Sequence, residues 1–177
     1  MDISNQLDNL YFIADDENEE RIKTLGPDMA FINCRSDKKA RTTRVTFQCE
    51  VLGEGIASSE YGHSIYCKII DQSTIDAYTT LNDRFVSFIE PLEEFEINEM
   101  VKNDSIFLKL QQRDGKYKAT IIPSCTPANF EKSAVEYGSK LEVTCNIGGY
   151  VNFKDKKAGI YLSTSRIVVD GGKKKRK

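Results

Sequence analysis

The chain has 177 residues, 40% of them hydrophobic and 29% charged, with a formal net charge of -2. That length supports one domain with a substantial core, and no shift in composition asks for a second. No run approaches the roughly 20 apolar residues of a membrane helix, and the opening "MDISNQLDNLYFIADDENEE" is too acidic for a secretory or transit signal, so an intracellular protein with no membrane contact is expected.

Charge is distributed unevenly along the chain. Residues 1–30 carry eight acids (Asp2, Asp8, Asp15, Asp16, Glu17, Glu19, Glu20 and Asp28) against Arg21 and Lys23, a net -6. Four readings of this acidic lead-in stay open: it lies across a basic groove, binds a partner, pairs two copies of the chain through "LYFI", or is a solvated lead-in. The stretch "RTTRVTFQCEVLG" alternates Val45, Phe47, Cys49 and Val51 against Arg44, Thr46, Gln48 and Glu50, which predicts a half-buried strand ended by glycine. "HSIYCKIID" repeats the pattern, with Ile65, Cys67 and Ile69 inward and Tyr66 and Lys68 outward. The two-residue period then stops. Ile75, Tyr78 and Leu81 recur at helical spacing and predict a helix near 73–82, followed by an acidic, partly helical connection that Pro91 interrupts.

Strands resume at "DSIFLKL", whose inward set Ile106, Leu108 and Leu110 leaves Phe107 and Lys109 on the other face. "RDGKYKATII" reads as a tight hairpin turning at Asp114-Gly115, with Lys116 and Lys118 outward. "GSKLEVTCNI" alternates Leu141, Val143, Cys145 and Ile147 against Lys140, Glu142, Thr144 and Asn146. The Gly-bounded stretch "GGYVNFKDKKAG" reads as a turn that collects two aromatics, Tyr150 and Phe153, and three lysines, Lys154, Lys156 and Lys157. "AGIYLSTSRIVVD" closes the domain, and "GGKKKRK" follows as a basic tail. Residues 153–177 hold nine bases against Asp155 and Asp170, a net +7. The whole reads as mainly β: an acidic lead-in over 1–30, a single OB-like domain over 31–170 and a basic tail over 171–177. The domain is expected to be a small antiparallel barrel of six short strands with one helix between the early and late ones.

Catalysis has little to stand on. The chain shows no nucleophile elbow and no phosphate-cradling glycine motif, and it has one histidine, so a non-enzymatic protein without a cofactor is expected. The five cysteines, Cys34, Cys49, Cys67, Cys125 and Cys145, are widely spaced with no C-x-x-C pair. His63 and Cys67 alone fall short of the four ligands of a structural zinc site, and no metal is expected. "EPLEEFEINE" reads as a solvated acidic face.

An aromatic and a lysine two residues apart recur on two solvent faces, Tyr66 with Lys68 and Phe107 with Lys109. Flat rings stack on nucleobases without reading sequence, and neighbouring lysines track phosphates. Lys118, Arg166 and the lysines of the 150–157 stretch extend the same chemistry. The terminal run Lys173, Lys174, Lys175, Arg176 and Lys177 has the composition of a nuclear-localisation signal or of a nucleic-acid-binding arm.

From Asp104 onward the ordered series "IFLKL", "KYKATII", "YGSKLEVTCNI", "GGYVNFKDKKAG" and "IYLSTSRIVV" resembles the single-stranded DNA-binding replication proteins of podophages and their relatives in large DNA viruses. The likeness covers about 65 residues. It implies an OB fold and a non-enzymatic role on exposed DNA strands in viral replication or recombination, with Tyr150 where the family has an aromatic and Phe153 near another. Those proteins end in an acidic, aromatic-tipped tail that recruits polymerase and helicase. This chain ends in lysines, so the resemblance does not itself imply tail-mediated contacts; replication proteins stay open as partners, and a host nucleus is the expected location.

The sequence reading is thus a sequence-tolerant single-stranded DNA-binding protein, with Tyr66, Phe107, Tyr150 and Phe153 as stacking platforms. Lys68, Lys109, Lys118, Lys154, Lys156, Lys157 and Arg166 are its phosphate contacts. Two other readings stay open: a capsid or scaffold subunit with a genome-binding tail, and an RNA-binding OB protein.

Overall fold

The structure is a computed structural model that describes residues 11–13, 29–35, 43–60, 62–89, 95–99, 101–152 and 154–170. Its strands are β1 (Tyr11–Ile13), β2 (Met29–Arg35), β3 (Thr43–Ser59), β4 (Gly62–Ile69), β5 (Glu96–Asn98), β6 (Val101–Lys102), β7 (Ser105–Leu110), β8 (Gln112–Arg113), β9 (Lys116–Tyr117), β10 (Thr120–Ile122), β11 (Lys140–Asn152) and β12 (Lys157–Val169). One α-helix, α1 (Gln72–Ile89), lies between β4 and β5, and a 3-10 helix spans Pro127–Lys132. Strands hold most of the described residues, which places them in the mainly-β class; β8 and β9 form a two-stranded sheet, and the other described strands share one main sheet that is not a closed barrel. The expected all-antiparallel barrel is corrected on a second count: β12 takes two parallel neighbours, β5 and β10. Nor are the strands uniformly short, since β3 has 17 residues and β11 and β12 have 13 each.

Two compact units are present, each assembled from three chain segments. Unit 1 comprises Met1–Val45, Asp76–Met100 and Asn146–Leu162. In it β2 pairs antiparallel with β1 and with the end of β11, from Asn33↔Gly148 to Met29↔Asn152. Helix residues Ala77, Tyr78, Leu81, Phe85 and Ile89 form its buried stripe. The helix therefore runs past the expected end near 82, because Phe85 and Ile89 continue the apolar face until Pro91 follows. Phe85 seats on a glycine: a Cβ on Gly149 would lie 2.5 Å from its Cε1, and one on Gly148 would collide with the Tyr161 hydroxyl. The Gly148-Gly149 pair is thus a clearance inside a strand, where the sequence suggested the start of a turn.

Unit 2 comprises Thr46–Ile75, Val101–Cys145 and Ser163–Lys177. In it β3, β4, β7 and β6 pair antiparallel in that order, while β10 pairs in parallel with the end of β12. Period-two alternation sets the buried face: Cys49, Val51, Ile65, Cys67, Leu108, Leu141, Val143 and Cys145 are fully buried. Burial raises the Cys145 thiol to about 12, and a hydrogen bond donated by the Cys49 thiol to Cys67, together with burial, raises Cys49 well above the usual thiol range. These cysteines pack as small hydrophobes. Between Val51 and Ile56 the β3-β4 register shifts through a bulge. Within it Gly55 adopts φ +111°, and a Cβ there would strike the Val135 carbonyl oxygen, so only glycine fits the bend. The β8-β9 hairpin turns at Asp114 and Gly115, both at positive φ, as the Asp-Gly pair predicts. Asp71 caps α1, its carboxylate accepting the Ser73 N–H at 3.1 Å.

No helix among the described residues is long and apolar enough to cross a membrane. No described group of three His, Cys, Asp or Glu residues is placed to hold a metal ion.

Candidate nucleic-acid interface

The β4-β7 pairing builds the main constellation in unit 2. Its register sets Tyr66 opposite Phe107, Ser64 opposite Lys109 and Lys68 opposite Ser105. Because Ile65, Cys67, Ile106 and Leu108 point inward, alternation sends Tyr66, Lys68, Phe107 and Lys109 to the solvent face. Sequence placed each pair on an outer face, and the register brings the two pairs together. The rings stack at 4.5 Å between centroids with 29° between planes. Phe107 remains 57% exposed and Tyr66 36%. On the β3 side the neighbour of Tyr66 is Gly53, whose missing Cβ would sit 3.6 Å from the Tyr66 Cβ, so no side chain at that position screens the ring. Lys68 Nζ lies 3.7 Å from an Asp104 carboxylate oxygen, with both side chains close to half exposed. Such a pair contributes little to stability and leaves the lysine able to swing toward a phosphate.

At one end of this face lies a cleft of about 500 Å³ lined by Gly62, His63, Lys109, Leu110, Gln111, Gln112 and Lys118. Lys118 follows β9 directly, and its N–H donates to the Gln111 carbonyl at 2.8 Å, which holds the two segments together. His63 is fixed from behind: Nδ1 lies 2.6 Å from the Tyr117 hydroxyl, and the ring packs at 4.6 Å on Phe130. Burial pushes the Tyr117 phenol up to about 12, with Cys125 adding to the shift. No sequence signal tied His63 to Tyr117, 54 residues apart, or made Gln111 and Gln112 part of a site.

Arg166 stands exposed on β12 beside Thr120 of β10. The strands next to β12 are β5, β10 and β11, so no strand pairing sets Arg166 beside Tyr66 or Phe107.

Tyr150, Lys154, Lys156 and Lys157 belong to unit 1. Tyr150 is not in a turn: β11 continues to Asn152, and Tyr150 pairs in register with Phe31 of β2. Its ring is half-buried against Gly159, where a Cβ would come within 3.3 Å of Cε1, and its hydroxyl accepts the Asn98 Nδ2–H at 3.0 Å. The true turn is shorter, closed by the Asp155 N–H donating to Asn152 Oδ1 at 3.0 Å, with Lys156 at φ 57°. Lys154, Lys156 and Lys157 are exposed, and Lys156 Nζ lies 5.4 Å above the centre of the Phe95 ring. Phe153, the tail residues Lys173–Lys177 and the acidic lead-in other than 11–13 and 29–30 lie outside the described residues.

The chain matches no protein-family model, no curated protein and no solved structure. The resemblance drawn above therefore stands on its quoted motifs alone.

Proposed function

We propose that this is a non-enzymatic, sequence-tolerant single-stranded DNA-binding protein that works on exposed strands in replication or recombination, and that the β4-β7 face is its stacking platform. The observation that carries this reading is the stacked, exposed Tyr66-Phe107 pair with a lysine two residues along each strand. A base laid on such a ring gains roughly 1–3 kcal/mol whatever its identity, while Lys68 and Lys109, one at each end of the ring pair, meet phosphates on either side of the stacked bases. OB folds present single strands to an open strand face in the same manner, and this face is OB-like in that use although the sheet is not closed. A mixed aromatic and cationic face suits a polyanion with flat bases better than a protein surface, which would favour a larger apolar patch.

The exposed lysines 154, 156 and 157 of unit 1 supply further cationic contacts in this reading, and Tyr150 supports its strand more than it offers a free ring. The run Lys173–Lys177 serves as the address for a host nucleus.

The test is a competition gel shift with equal-length single-stranded DNA, duplex DNA and RNA at one fixed salt concentration. Single-stranded DNA should compete best. RNA competing better would make this an RNA-binding protein. Loss of all binding on deletion of residues 173–177 would favour a genome-packaging arm.

A further inference from the structure

We propose that the cleft lined by His63, Lys109, Gln111, Gln112 and Lys118 is a binding site for a phosphate monoester. Two amines and two carboxamides supply donors to the cleft, and no carboxylate stands in its lining. Asp114, the nearest acid in the β8-β9 hairpin, lies in the turn and outside the lining. A monoester carries up to two negative charges against the single charge of a backbone diester, and two lysines match the former. At about 500 Å³ the space exceeds a bare phosphate group and accommodates an attached sugar or nucleoside.

The walls are held in place. His63 pairs with Leu110 across β4 and β7, and Lys118 is tied to Gln111 through its backbone. Tyr117 occupies His63 Nδ1 and Phe130 supports the ring, which leaves Nε2 as the ring nitrogen for a ligand oxygen. The backbone and the His63 ring are thus set before an anion arrives, and the exposed lysine and glutamine side chains are the groups that lose freedom on binding it.

The ligand's phosphate can come from the end of a DNA strand or from a free phosphate compound. The first source rests on the function proposed above; the second does not. Lys109 is common to the cleft and the stacking face, so an end phosphate seated here would set the register of the strand on Phe107.

The chain has one histidine, so its imidazole proton resonances report on the cleft without ambiguity in the full-length protein. Titration with inorganic phosphate, at constant pH and at ionic strength balanced with chloride, should shift them saturably. Lys118→Gln should weaken that response by about tenfold while leaving the spectrum folded, and Lys109→Gln should do the same. No saturable shift, or an unaltered response in both folded variants, overturns the site. In a second arm, oligo-dT bearing a 5′-phosphate, a 3′-phosphate or neither is compared. A several-fold preference for one phosphorylated end, lost in Lys118→Gln, identifies the strand end as the source. Equal binding of all three beside a positive phosphate titration assigns the cleft to a free phosphate compound. Failure of every oligonucleotide to bind, with the phosphate response intact, defeats the single-strand reading and leaves the cleft. A flat phosphate titration beside tight oligonucleotide binding defeats the cleft alone.

Discussion

Replacing Phe107 by alanine is the sharpest perturbation of the stacking face. Phe107 is 57% exposed, so its ring contributes modestly to the core, whereas its β7 neighbour Leu108 is fully buried. Loss of the cross-strand aromatic pair should cost about 0.5–1.5 kcal/mol of stability, or about 1–6 °C in Tm for a chain of this size. Leu108→Ala should cost about 2–5 kcal/mol. For Phe107 the larger loss should be in binding. A base that stacks on Phe107 contributes about 1–3 kcal/mol, so Phe107→Ala should weaken oligo-dT binding by about 5- to 150-fold. Because the rings touch at 4.5 Å, Tyr66 holds Phe107 in place, and the double variant should lose less than the sum of the two single losses. Fluorescence anisotropy with labelled oligo-dT at one salt concentration measures this cycle, with thermal melts of each variant alongside. A folded Phe107→Ala protein that binds within twofold of the parent would refute stacking on this face. Strict additivity would refute the view that the two rings act as one platform.

Lys68 should act through charge. Lys68→Gln is expected to reduce the slope of log affinity against log salt by about 0.7, from a parent value of about -2 to -3.5 for 3–5 neutralised phosphates; an unchanged slope from salt titrations removes Lys68 from the path of the strand. Gly149→Ala should lower Tm by about 2–12 °C, since the new methyl meets the fully buried ring of Phe85 at 2.5 Å and overpacking costs about 1–3 kcal/mol; Phe85→Leu in the same chain should recover part of the loss, and an unshifted melt would contradict the packing. Tyr117 carries a pH signature. Its phenol is raised from 10.0 to about 12, chiefly by burial, so between those values the folded chain keeps a proton that the unfolded chain has lost. The resulting stability is complete below pH about 10 and is lost as pH rises through about 12; Tyr117→Phe should flatten that part of the Tm profile, and an identical profile in parent and variant would remove the effect.

Local alternation carried most of the strand faces into view. Each inward residue expected in β4, β7 and the first half of β11 is buried, because a half-buried strand has a period of two and nothing else in those segments competes with it. The Asp114-Gly115 turn was legible because few residue pairs tolerate positive φ twice in succession. What escaped depends on partners distant in the chain. Gly148 and Gly149 resemble a turn until Phe85 and Tyr161 are seen to need their space, and Tyr150 was drawn into that turn with them. β5 and β10 have three residues each, too few to show any period, so their parallel approach to β12 left no trace. The same holds for the site. Both aromatic-lysine pairs were visible strand by strand, but the register that stacks Tyr66 on Phe107 is a long-range fact, as is the hydrogen bond between Tyr117 and His63.

The buried thiols of unit 2 double as a chemical clock. Cys49, Cys67 and Cys145 have no accessible surface, whereas Cys125 is only partly covered. A thiol reagent added to the native protein meets Cys125 early, but the other three react only while the strands around them are open. Their modification rate therefore counts opening events of this core, residue by residue in a peptide map. A strand of DNA held across β4 and β7 should slow that clock at Cys67, whose strand carries the stacking face, by the factor its binding stabilises the closed state.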